Sequence, residues 1–507
     1  MNKIKTLKLN VITSILPWIV LAIIGFVKIR FFINVYGDET NGFIQLITQI
    51  YGYLSLVEMG FGSAIMFRLY KPLARDDKET AVKLFNGSKK IYKNIAIKLS
   101  TLAFVTAFFV PHFVTVQGMS KLKMIAIFLI FAVDYFAKYI FDLPYRTLLY
   151  ADQKRYKANI IINISTLIVK IVELFLILTG IDYIIVLTSN VLINISSYIV
   201  FRNIVKREYD WLNITSEADT STKEMSKDIM GHKISRIVFY GTDNIIISLS
   251  KNLGLAATSV YGSYNYIISA IRNVLELFFS SPLEILGNKF AKEENKNEEN
   301  ECLYKEILSA TYYIGIITCV VFFVSISKLI GIWINTRYVL DTVTIFIFSL
   351  YIWYECVGRT NLTMIEAGGK YKETKIIEIS CAILNIALSI ILAQFFGIAG
   401  VIAGSVISLM VIKHPFQIKF LYKDLFKKEM TKSYMTFIIN TFVMITMSFI
   451  NLFVIRILNI YQGVNFIKWF LITSVIAIVN VIILFAFYYV FYKSFRKMIM
   501  RFVNRSK

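Results

Sequence analysis

The chain has 507 residues, of which 57% are hydrophobic, 15% aromatic and only 17% charged, with a formal net charge of +22. A soluble domain carries about 25% charged residues, and no water-soluble core needs many apolar stretches that each cross roughly 30 Å of hydrocarbon. The composition therefore excludes a soluble enzyme, and the excess of Lys and Arg is that of cytoplasmic membrane loops rather than of a nucleic-acid binder.

Fourteen helices are expected, at 10–34, 43–70, 90–116, 124–149, 158–180, 182–202, 233–253, 256–287, 304–327, 340–365, 375–395, 397–420, 433–456 and 466–492. The start, MNKIKTLKLN, resembles the basic region of a signal peptide. A long apolar stretch follows without a small-residue cleavage site, so this reads as a retained first span. Loops assigned to the inside carry 37 Lys and Arg, and those assigned to the outside carry 7. That bias predicts an even number of spans with both termini cytoplasmic. The fold class expected is an all-α polytopic membrane protein. It has an N-terminal lobe at 1–202, a cytoplasmic linker at 203–231, a C-terminal lobe at 232–422, and two extra helices with a basic tail at 423–507. The charged run KFAKEENKNEENE, Lys289 to Glu301, reads as a solvated loop.

An internal repeat supports two six-helix lobes. Gly37 and Gly254 each end a span, Gly180-Ile181 and Gly397-Ile398 each join two spans, and both pairs are offset by 217. Tyr156-Lys157 and Tyr371-Lys372 are offset by 215. Two halves of six helices share one orientation, which predicts a pseudo-two-fold axis along the membrane normal and a substrate route between the halves.

The fourth span carries Asp134, Lys138, Asp142 and Arg146 at spacings of four, on one helix face. Each charge at mid-depth costs at least roughly 2.5–3.5 kcal/mol on insertion scales, so the stripe must face protein or water. Pro144 inside it predicts a kink. At offset 217, Lys138 and Asp142 map to Glu355 and Arg359 of the tenth span, with signs reversed. The two helices are expected either to hold their charges as intrahelical pairs or to line one cavity. Arg272 and Glu276 make a further i, i+4 pair on the eighth span. Lys28, Glu58, Lys170, Glu173, Arg236 and Asp243 complete the charges at depth, while Arg68 and Glu284 read as interfacial. Lys28, Lys138, Arg272 and Arg359 are the candidates for holding a phosphate or pyrophosphate. Glu58, Asp134, Asp142, Asp243, Glu276 and Glu355 are the candidates for charge balance or for binding a coupling proton or sodium ion.

No phosphate loop, HExxH, CxxC or Ser-His-Asp pattern is present, and His112, His232 and His414 sit near span ends. The four cysteines lack metal-ligand spacing. The outer loops are too short to hold a catalytic domain. Transport is expected rather than catalysis, with no organic cofactor and no metal.

The run YGDETNGFIQLITQIYGYLSLVEMGFGSAIMFRLYKPLA, Tyr36 to Ala74, resembles the start of bacterial Wzx-type polysaccharide repeat-unit flippases. These belong to the multidrug/oligosaccharidyl-lipid/polysaccharide exporter superfamily, with the multidrug (MATE) exporters and the lipid II flippase. TDNIIISLSKNLGLAATSVYGSYNYI, Thr242 to Ile267, carries a second resemblance. The likeness implies a monomeric flippase of the bacterial cytoplasmic membrane. Its substrate would be an undecaprenyl-pyrophosphate-linked oligosaccharide for capsule or a related surface polysaccharide. It implies alternating access, coupling to a proton or sodium gradient, and contact with membrane lipids and with polymerase and export machinery. The GFVKI segment is similar in place to the Gly-Phe-x-Arg segment of lipid II flippases, which points to Lys28 as a cavity residue. A cation-coupled drug antiporter and a membrane glycan polymerase or ligase are the competing readings.

Overall fold

In a computed structural model, residues 3–58, 60–213, 217–220, 239, 241–292, 297–367 and 371–505 are described. Arg236 lies outside them, as do 214–216 and 221–231 of the 203–231 segment. The described residues are almost wholly helical. In order they form α1 (Lys3–Tyr36), α2 (Asp38–Leu54), α3 (Phe61–Ala74), α4 (Lys78–Phe113), α5 (Lys121–Phe141), α6 (Leu143–Ala151), α7 (Arg155–Leu178) and α8 (Tyr183–Glu208). After a helical stretch at 241–249 come α9 (Gly254–Lys292), α10 (Asn297–Trp333), α11 (Thr342–Ala367), α12 (Tyr371–Ser408), α13 (His414–Phe420), α14 (Thr431–Ile457), α15 (Phe466–Phe491) and α16 (Lys493–Arg505). Among the described residues, nine stretches are long and apolar enough to cross a membrane by length and composition alone. The more polar α9 and α11 and the broken pair α2–α3 fall outside that set. The chain divides into two compact units, 1–259 and 260–507.

The repeat landmarks are backbone features. Gly37 and Gly254 have φ of +84° and +71°, and Gly180 and Gly397 have φ of +69° and +59°. A side chain in this left-handed region is strained, so glycine lets the chain turn sharply between helices. The same device recurs at offset 217.

Several helices run past the hydrocarbon. α4 has 36 residues, about 54 Å at 1.5 Å per residue. Asp77 starts it by accepting the Thr80 amide at 3.1 Å. α5 starts at Ser120, which accepts the Lys123 amide at 3.2 Å. α5 and α6 are one expected span broken at Asp142, where Pro144 enters the first turn of α6.

In the first unit, α5 packs against α4 and α8, and α1 packs against α7. Tyr51 of α2 donates to the Phe128 carbonyl at 2.7 Å and stacks on Tyr135 at 4.8 Å, which holds α2 to α5. In the second unit, α10 packs against α11, α14 and α15. The charged run Lys289 to Glu301, expected as a solvated loop, ends inside α10 and is not simply solvated there. Glu301 is buried and pairs with Lys428 at 2.7 Å and Lys305 at 2.6 Å.

α12 is a hairpin folded at Gly397. A Cβ on Gly400 would lie 2.1 Å from the Leu392 carbonyl oxygen, and one on Gly404 would lie 2.6 Å from the Ser389 amide nitrogen. The G-x-x-x-G spacing thus lets two membrane helices approach closely.

Candidate functional site

In the first unit, the stripe on α5 and α6 divides into three environments. Asp142 is buried and takes both guanidinium arms of Arg146, one turn on, with the Arg146 Nε at 3.2 Å. It is therefore spent on a local bidentate pair. Asp134 accepts from the Tyr198 hydroxyl of α8 at 3.5 Å. Lys138 stands between these carboxylates, half-buried, with its ammonium 5.8 Å from the centre of the Tyr135 ring. Among the described residues it has no carboxylate oxygen within 4.0 Å.

Glu58, in the break between α2 and α3, accepts from the Tyr139 hydroxyl at 3.2 Å. Tyr139 is on α5 one residue after Lys138, so the lysine and this carboxylate are held by the same helix. Lys28 of α1 donates to Glu173 of α7 at 3.1 Å, and Lys170 approaches the other carboxylate oxygen at 3.5 Å. Two ammonium groups thus share one buried carboxylate, leaving the triad with a net positive charge. Lys28 is not a solitary cavity cation. Asp243 is buried on the 241–249 stretch, close enough to Tyr53 to interact electrostatically.

In the second unit the charges of α9 and α11 pair across the two helices rather than along them. Arg272 of α9 reaches Glu355 of α11 at 3.7 Å and donates to the Tyr351 hydroxyl at 3.1 Å. Arg359 of α11 donates to Glu276 of α9 at 2.7 Å. Intrahelical pairing, one of the two arrangements expected, gives way to two rungs between helices that run in the same direction. Both helices put their charges on the face turned to the other, and a long side chain spans a helix gap as easily as one turn. Nearer the beginnings of α9 and α11, Tyr264 stacks on Phe348 at 5.4 Å and accepts the Leu340 amide at 3.0 Å.

A third constellation was not among the expected site residues. Lys413 falls within the expected span 397–420 but not among the expected site residues. The chain runs helically through a wide turn at 409–413, and Lys413 is buried with its ammonium 3.2 Å from Glu378. Gln417 donates to the other Glu378 oxygen at 3.3 Å. The pair ends a polar seam inside the hairpin. Asn385 donates to Ser405 at 2.7 Å, and Ser389 donates to the Val401 carbonyl at 2.9 Å. The signal was legible as Glu378, Cys381, Asn385 and Ser389, spaced three or four apart on one face of an apolar helix.

At the loops assigned to the outside, Lys123 pairs with Asp182 at 2.6 Å. That bond and the Ile184 amide hold the Asp182 carboxyl below its ordinary pKa. At the opposite end of the unit, Lys154 bridges Asp152 at 2.7 Å and Glu208 at 2.9 Å, which raises the Lys154 pKa despite partial burial. Among the described residues no group of three or more His, Cys, Asp or Glu is placed to hold a metal ion.

Two units of long apolar helices, a glycine-turn repeat and charges gathered on interior faces define a polytopic helical membrane protein. The fold is shared with solved structures of a lipid II flippase and of multidrug transporters. The chain is similar to a structure titled lipid II flippase MurJ, inward closed conformation, with a TM-score of 0.68 and 15% identity, covering 94% of this chain and 99% of that one. It is also similar to a MATE family multidrug resistance transporter in an inward-facing conformation, with a TM-score of 0.60, 12% identity, and 82% and 99% of the two chains covered. An outward-facing MATE transporter matches with a TM-score of 0.55, 13% identity, and 84% and 95% covered. No family model matches the chain, and no curated protein matches it.

Proposed function

We propose that the protein is a flippase for undecaprenyl-pyrophosphate-linked oligosaccharide repeat units, working by alternating access in the bacterial cytoplasmic membrane with both termini in the cytoplasm. The observation that carries this reading is Lys138. It is a half-buried ammonium at the depth of a membrane span, with no carboxylate within 4.0 Å among the described residues. Such a charge is costly in apolar surroundings and becomes favourable when an anion arrives. A pyrophosphate offers several strong acceptors to one ammonium. The net positive triad of Lys28, Glu173 and Lys170 supports an anionic cargo. Arg272 and Arg359 already hold Glu355 and Glu276, so they serve the cargo only if those rungs open. The reading is of transport, not catalysis.

The test is replacement of Lys138 by Gln in the producing cell. Surface polysaccharide is expected to fall by about tenfold or more, the effect of losing one charge-assisted contact. Lipid-linked oligosaccharide should accumulate while the protein remains in the membrane at its normal level. Normal polysaccharide from Lys138→Ala combined with Arg359→Ala would remove the cavity role. Gradient-driven drug efflux without any polysaccharide defect would favour an antiporter instead.

A further inference from the structure

Positively charged side chains are scarce at the membrane end assigned to the outside, as the charge bias requires. Two of them nevertheless meet in one cavity of the second unit. Lys328, close to the end of α10, and Arg456, at the end of α14, line a pocket of about 460 Å³. Among the described residues neither has a carboxylate within 4.0 Å. The Arg456 guanidinium donates to the Thr342 hydroxyl at 3.2 Å, which orients it without neutralising it. The nearby Asp341 carboxylate is spent on the Val343 and Thr344 amides, at 2.9 Å and 3.0 Å. Phe323, Val324 and Ile345 are buried at the apolar wall of the same pocket.

Two cations with no carboxylate within 4.0 Å among the described residues, beside an apolar wall, are a half-completed ion pair. The guanidinium fork and the ammonium match a phosphate, and the apolar side matches the first carbons of a hydrocarbon tail. The volume is that of a small-ligand site, ample for a headgroup. Phe449, Phe453 and Ile457 lie exposed on α14, on the helix that carries Arg456, and offer a track for acyl chains. We propose that this pocket binds the phosphate headgroup of an anionic membrane lipid, gripped by Arg456 and Lys328. The site is separate from the Lys138 stripe and does not depend on the transport reading.

The purified full-length chain in non-ionic detergent, titrated with phosphatidylglycerol, phosphatidylcholine, a polyprenyl phosphate or inorganic phosphate, tests this through its melting temperature. Phosphatidylglycerol should stabilise the wild type and phosphatidylcholine should not. Lys328→Ala with Arg456→Ala should weaken the apparent affinity by about tenfold or more, and Lys328→Arg should retain it. A stronger response to polyprenyl phosphate also supports the site and identifies the carrier lipid as its source. Equal stabilisation by inorganic phosphate would mean a free-anion site and overturn the lipid assignment. An unchanged lipid response in the double variant would overturn the residues. Should that variant fail to fold, hydrogen exchange of 334–345 in the wild type decides. Protection by phosphatidylglycerol but not phosphatidylcholine supports the pocket, and equal exchange in both overturns it.

Discussion

The two units treat equivalent positions in opposite ways. In the first, Lys138 has no carboxylate within 4.0 Å among the described residues, while its neighbours on the stripe are engaged by Arg146 and Tyr198. In the second, the positions at offset 217, Glu355 and Arg359, are both tied to α9. The hairpins differ in the same sense. That of the first unit joins α7 to α8 through a Ser165–Ser197 hydrogen bond of 2.6 Å. That of the second holds the buried Lys413–Glu378 pair at its end. One scaffold therefore carries an available charge in one copy and cross-linked charge in the other. The helix face is inherited with the repeat, but the partner is a property of the neighbouring helix.

The comparison is most easily broken at the hairpin turn. Position 404 corresponds at offset 217 to Leu187, a buried leucine of α8. Gly404→Leu would make the second hairpin resemble the first, and its Cβ alone meets the Ser389 backbone at 2.6 Å. The expected outcome is loss of a monodisperse, folded protein, because overpacking against a fixed backbone costs about 3 kcal/mol or more. Next in size, Lys413→Met leaves the Glu378 carboxylate buried without its ammonium. Breaking one side of a buried pair costs about 3–5 kcal/mol, and Lys413→Met with Glu378→Gln should recover most of it in thermal melts. If the single variant melts like the wild type, the pair contributes nothing.

A subtler test separates cross-helix rungs from intrahelical ones. Double-mutant cycles should give coupling of about 0.5–1 kcal/mol for Glu276 with Arg359 and for Arg272 with Glu355. Coupling for Arg272 with Glu276 should be near zero. The opposite result would restore the intrahelical arrangement. The smallest effect is expected at the outer tie of the first unit. The Asp182 carboxyl is depressed by the Lys123 ammonium and the Ile184 amide. Its contribution is present above the unfolded pKa of about 3.9 and lost as pH falls through the lower folded value. Asp182 is half-exposed, so the loss should stay below about 1 kcal/mol. It should disappear in Asp182→Asn.

The sequence by itself determined the membrane class, the helix order and the repeat, because hydropathy, loop charge and left-handed glycines are local properties. Pro144 predicted the break at Asp142 for the same reason. The pairing of Arg272 with Glu355, and of Arg359 with Glu276, was decided only by tertiary structure. Spacing fixes which face of a helix a charge occupies, but an i, i+4 neighbour and a facing helix lie at similar reach. Lys413 shows the point most directly. It lies near the end of an expected span, and only the packing of the hairpin brings it against Glu378. The surroundings of Lys138 and of the Lys328–Arg456 pocket likewise depend on which distant side chains come within reach, which no single stretch of chain can specify.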